Sequence, residues 1–194
     1  MPFSHTWETI KEEYQNKDPQ SISENSGVEY DYSREEFILN YCGNTFRVSY
    51  PGAHLEGAPF SVSLEEKIVF LQYLCWAKSV PPRGKWLSFL ELPFGQHHHV
   101  PFQKEAIFPL AAKYGNNLSE FCRAGESWGE EQNFSDASFL IRVFPLINLL
   151  VILRRGDDEF PPHANVLFDS ASPYHLPTAT LYVMGIKVVE RIWL

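Results

Sequence analysis

The run Ile147-Asn148-Leu149-Leu150-Val151-Ile152-Leu153 is the longest apolar stretch of the chain, and it limits the possible folds more than any other feature. Pro145 precedes it, and Ser138 to Phe144 lies on the other side of that proline, so the two segments read as paired strands. A strand that is apolar at nearly every position has no face to offer water, so it is expected to be covered on both sides. Seven residues is also far short of a bilayer span.

Earlier in the chain the period is two. Val28, Tyr30 and Tyr32 fall on one face of a strand, as do Phe37, Leu39 and Tyr41, and then Phe46, Val48 and Tyr50. Turns at Ser33-Arg34-Glu35 and Cys42-Gly43-Asn44 make these an antiparallel meander. Residues 5 to 15 carry Trp7, Ile10 and Tyr14 at helical spacing, and Asp18 to Ser26 is polar and turn-rich, a linker. Residues 1–26 therefore stand as an N-terminal helix and linker, and 27–194 as one domain.

Ser63-Leu64-Glu65-Glu66 is a capping-box pattern that opens a helix through Leu71 and Cys75, ended by Pro81-Pro82. Trp86 to Leu92 reads as a strand or extended arm. Phe102 to Tyr114 is helical by pattern but holds Pro109, which must kink or restart it. Asn117 and Glu120 cap a further helix, and a last one starts at Pro177 with Leu181, Gly185, Val188 and Ile192 in register. The expected class is α+β: antiparallel sheet elements, an N-terminal meander plus a buried C-terminal strand pair, with about five helices packed on them.

A net charge of −8 argues against a surface that tracks nucleic-acid phosphates or an anionic membrane. The first residues lack the basic start and apolar run of a secretory signal, and the three cysteines are far apart with no Cys-x-x-Cys pair, so a reduced, cytoplasmic protein is expected.

Chemistry-bearing residues concentrate in two places. Gly156-Asp157-Asp158-Glu159-Phe160-Pro161-Pro162 places three carboxylates after the apolar strand; with Asp169 and His163 they are candidate ligands for a divalent metal. The order is not that of a calcium loop, and Asx-turn chemistry at Asp157 with balancing by Arg154 and Arg155 explains the same residues structurally. The other place is Gln96-His97-His98-His99, whose imidazoles suit a transition metal or an axial position on a macrocycle. Consecutive histidines point alternately, so a third partner would come from His54, His163 or His175. Phe94 and Trp86 are the aromatic candidates for lining a flat cofactor, although most aromatics here belong to a core. Cys42 follows a strand at a turn and would be reactive only with a histidine near it, which nothing in the sequence places there, while Cys75 reads as core; there is no Gly-x-Ser-x-Gly elbow, phosphate loop or dinucleotide fingerprint.

Glu65-Glu66-Lys67-Ile68, Pro81-Pro82-Arg83-Gly84-Lys85-Trp86, Glu91-Leu92-Pro93, Tyr114-Gly115-Asn116-Asn117, Gly156 to Pro162, Asn165 to Asp169 and Leu176-Pro177-Thr178 occur in an order that resembles the prokaryotic family called domain of unknown function 3786. The chain departs from that pattern at Phe94, where a glycine is usual, at Arg154, where a tryptophan is usual, and at Ala179, where an acid usually follows Pro-Thr. The resemblance implies a setting in anaerobes near corrinoid-dependent one-carbon metabolism, and no reaction. The expected function is thus a non-catalytic binding protein for a corrinoid, another tetrapyrrole or a metal ion, the ligand lying between the His97–His99 loop and the Gly156–Asp169 segment. A module docking on a partner protein and a metal-dependent hydrolase using Asp157, Glu159 and Asp169 are the alternatives.

Overall fold

The computed structural model describes residues 2–57 and 60–193. The chain runs α1 (Pro2–Gln15), α2 (Pro19–Ser26), β1 (Glu29–Asp31), β2 (Glu36–Tyr41), β3 (Asn44–Ser49), β4 (Leu55–Glu56) and α3 (Leu64–Trp76). It continues through β5 (Trp86–Ser88), 3-10 turns at Phe89–Glu91 and Gly95–His97, α4 (His99–Phe102), a π turn at Gln103–Ile107, α5 (Phe108–Tyr114) and α6 (Leu118–Glu126). The last elements are β6 (Glu130–Gln132), β7 (Ala137–Phe144), β8 (Ile147–Arg154), β9 (His163–Asp169), α7 (Ser172–His175) and α8 (Thr178–Trp193). The molecule is α+β, as the patterning indicates. Where a linker is expected, α2 forms instead: Asp18 caps it by accepting from Ser21 N at 2.9 Å, Pro19 sits in the first turn, and Gly27 closes it at φ +70°.

The meander forms a four-stranded antiparallel sheet in the order β1-β2-β3-β4, with Phe37 opposite Val48 and Leu39 opposite Phe46. The strand pair at Pro145 is the centre of a second antiparallel sheet, β5-β9-β8-β7-β6. Its other strands were not expected, apart from an extended arm at Trp86. In β8, Ile147, Leu149, Val151 and Leu153 are fully buried on one face. On the other face Leu150 is buried while Asn148 and Ile152 are half-buried, so coverage there is partial rather than complete.

The sheets meet through aromatic rings. Tyr73 stacks on Phe144 at 4.3 Å, Tyr41 contacts both Phe70 and Phe144, and Cys42 N donates to Val143 O. Helix α3 carries this junction and is buried from Ile68 to Cys75, as befits a helix with elements on all sides. Its capping box is present: Ser63 Oγ accepts from Glu66 N and Glu66 Oε2 accepts from Ser63 N at 2.9 Å. The helix ends at Trp76, ahead of Pro81-Pro82. The Glu66 carboxylate also receives Arg191 of α8 in a two-pronged pair with contacts of 2.6 Å, beside Tyr41 Oη at 3.3 Å. That buried pair clamps the terminal helix to the junction.

Pro109 marks a restart of the helix, as its pattern requires. The π turn ahead of it lets Phe108 N donate to Gln103 O, and Pro109, with no N–H to lose, enters the first turn of α5. Helix α8 buries Leu181, Gly185, Val188 and Ile192 as its period requires. Among the described residues no helix is long and apolar enough to cross a membrane.

Candidate functional site

Strand β9 separates the two candidate loops. His163 begins it opposite Arg154, and Asp169 ends it opposite Trp86. Seven extended residues span roughly 20 Å, so these two expected metal ligands lie at opposite ends of the sheet. Asp169 is fully buried, and its oxygens accept from Arg83 N at 3.0 Å, Gly84 N at 2.7 Å and Ala171 N at 2.8 Å. A carboxylate wrapped in backbone donors is a structural anion with nothing left for a metal.

At the far end, Asp157 builds an Asx turn. Its Oδ1 accepts from Glu159 N at 2.9 Å and Phe160 N at 2.7 Å, and those amides hold the carboxyl below the usual range. Gly156 N donates to Gly115 O, and Pro162 fills the space where a side chain on Gly115 would stand, 2.1 Å from a notional Cβ. Arg154 lies over the Phe160 ring at 5.8 Å. Asp158 and Glu159 are exposed, and among the described residues no group of three His, Cys, Asp or Glu side chains is placed to hold a metal ion. The expected metal set of Asp157, Asp158, Glu159, Asp169 and His163 is therefore not assembled, because the hairpin that carries it pulls its members apart.

Asp169, Ser172 and His175 have the composition of a nucleophilic triad but not its wiring. His175 is buried; its Nδ1 accepts from Lys78 N at 3.3 Å, which leaves the proton on Nε2 to donate to Val80 O at 3.0 Å. Both ring nitrogens are committed to backbone, and burial keeps the imidazole below its ordinary pKa. Together His175 and Asp169 pin the 78–85 loop to α7. Cys42 is buried as well, which pushes its thiol up and removes it as a nucleophile; Cys75 is pushed up to about 12 by the same cause.

The histidine loop is built from β5, which pairs with β9 at Ser88 opposite Leu167. Ser88 N and Oγ both donate to Glu91 at 2.7 Å, turning the chain. Gly95 comes so close to Phe89 O that a Cβ would sit 2.1 Å away, which only glycine tolerates. This folds Phe94 outward at φ +60°, 72% exposed, with its ring stacked on His97 at 6.5 Å. His98 turns toward the Tyr182 ring, 5.4 Å away, and His99 directs a buried Nδ1 inward with no hydrogen-bond partner.

Phe94, His97 and His98 form one wall of an open groove of about 410 Å³. The facing wall is Pro173, Leu176, Pro177, Thr178 and Ala179, where α7 leads into α8, and Thr178 Oγ1 bonds Pro93 O at 2.6 Å across the two walls. Of the five expected cofactor residues, the groove gathers Phe94, His97 and His98. His99 and Trp86 do not line it; Trp86 is half-buried in strand β5. The facing wall was missed as a site, although Leu176-Pro177-Thr178 was conspicuous as a helix start. Phe94 and Ala179 lie in the groove, and Arg154 lies over the acidic turn.

The architecture defines an α+β domain with an apolar groove rimmed by imidazoles at one end of its larger sheet. The chain belongs to the family described as Domain of unknown function (DUF3786), which it matches over residues 18–191, nearly its whole length. Comparison with curated proteins and with solved structures gave no match.

Proposed function

We propose that this is a non-catalytic binding protein that holds a cofactor-sized ligand in the groove between the Pro93–His98 loop and the start of α8. One observation carries this reading: an aromatic ring and two imidazoles face an apolar wall across a volume within the range of about 300–1,000 Å³ typical of ligand sites. Imidazole is an axial ligand of haem iron and of other metals in a macrocycle, so His97 and His98 suit a tetrapyrrole or corrinoid, with Phe94 against its face. We place it in the cytoplasm on its unpaired cysteines, and in anaerobic metabolism on the family resemblance alone. The acidic turn has no part in it.

Absorption titration with haem and with hydroxocobalamin tests the reading. A saturable, one-to-one spectral change is expected for one of them, abolished by His97→Ala/His98→Ala. No change with either ligand would overturn the macrocycle assignment.

The exposed side chains Leu90, Phe94 and Val100, at 50%, 72% and 57%, favour one second reading, a docking face for a protein partner. Phe94 belongs to both, and loss of ligand binding without loss of a co-purifying partner separates them.

A further inference from the structure

We infer that the groove takes a small amphiphilic anion, its apolar body against Phe94 and Leu176 and its anionic groups toward the 78–85 loop. This deepens the proposed binding function and rests on it. The chain carries −8, yet the segments that build and flank the groove carry none of that excess. Residues 77–104 hold Lys78, Arg83, Lys85 and Lys104 against Glu91 alone, and residues 170–186 contain no Asp, Glu, Lys or Arg.

Carboxylates on or against these elements are already engaged. Glu91 accepts from Ser88, Glu105 accepts from the Tyr182 hydroxyl, and Asp169 is enclosed by amides. Glu65, across α8 from the groove, is held by Ser63. Lys78, Arg83 and Lys85 are exposed and take part in no ion pair among the described residues.

Surface cations ordinarily do nothing but face water. These differ because their backbone is held by two fully buried groups, His175 at Lys78 and Asp169 at Arg83 and Gly84. Arg83 is also laid over the Tyr174 ring at 4.8 Å. Tyr174 belongs to α7, whose Pro173 lines the groove together with Leu176 just past the helix end, so Arg83 is laid against the element that forms this wall, with Lys78 and Lys85 on the same pinned loop. Apolar burial with charge kept at the wet rim is how an amphiphilic anion is best accommodated.

The test uses two fluorescent probes with similar aromatic bodies, anilinonaphthalene sulfonate and the uncharged N-phenylnaphthylamine, titrated into the full chain. Phe94→Ala should weaken both, which locates them in the groove. Lys78→Glu/Lys85→Glu should weaken the sulfonate by about tenfold and leave the neutral probe unchanged. Raised salt should reduce the sulfonate's binding alone. Arg83→Glu, with circular dichroism to confirm folding, gives an independent repeat. Equal response of both probes to charge reversal overturns the anion assignment and leaves the groove as a site. Indifference of both to Phe94→Ala overturns the groove itself. Saturation by phosphatidylglycerol vesicles without any probe response overturns the small-molecule ligand in favour of a lipid surface.

Discussion

Phe94 shows most directly how one residue serves the site against the fold. At φ +60° a bulky side chain costs about 1–2 kcal/mol, and the ring, 72% exposed, recovers little by burial. The strain is understandable if the ring belongs to a ligand. Phe94→Gly should therefore stabilise the protein by about 1 kcal/mol, raising Tm by about 2–4 °C, while weakening whatever binds the groove. A lower Tm would show that the ring supports the fold instead. His175 makes the opposite contribution. Its folded pKa lies below the ordinary 6.5, so the neutral ring is favoured by folding. That stabilisation is complete above pH 6.5 and is lost as pH falls through the folded value. Urea midpoints should begin to fall as the pH drops below about 7, and His175→Gln should flatten that part of the profile. An unchanged slope in the variant would contradict the assignment. Neither residue's role could be read from sequence: αL geometry at Phe94 follows from the approach of Gly95 to Phe89, and His175 meets Lys78 and Val80 only through the fold.

Elements with a local cause were legible, and those with a tertiary cause were not. The α3 capping box, the Asn117 cap of α6, the meander and the periodic face of α8 are all set by residues within a few positions of one another. Strand β9 alternates at Ala164, Val166 and Phe168, a locally readable pattern between two polar ends. The acidic turn takes the form its sequence chemistry favours, an Asx turn in which Asp157 bonds two amides, and its charge assembles no metal set among the described residues. The Glu66–Arg191 pair is the clearest case of two elements joined across 125 positions. Arg191→Met leaves a buried carboxylate unpaired and should cost about 3–5 kcal/mol in denaturant unfolding. Adding Glu66→Gln, which keeps the helix cap, should recover most of that loss. Equal destabilisation of the single and double variants would mean that packing, not the charge pair, is at stake.

Across the whole molecule, the larger sheet acts as a spacer. The expected ligand position between the histidine loop and the acidic segment required the two to meet, but the length of β9 keeps them at opposite ends. The groove gathers Phe94 with His97 and His98, joined by a wall from the α7–α8 junction whose contribution depends on long-range packing. The charge pattern follows the same division, with the carboxylates of the acidic turn far from the groove and the 78–85 cations beside it. Amide NMR during titration with whichever of haem and hydroxocobalamin gives the saturable spectral change measures this division directly. The account predicts shifts at Phe94, His97, His98, Thr178 and Ala179 and none from Asp157 to Phe160. Shifts centred on Asp157 to Glu159, with the groove unmoved, would contradict it.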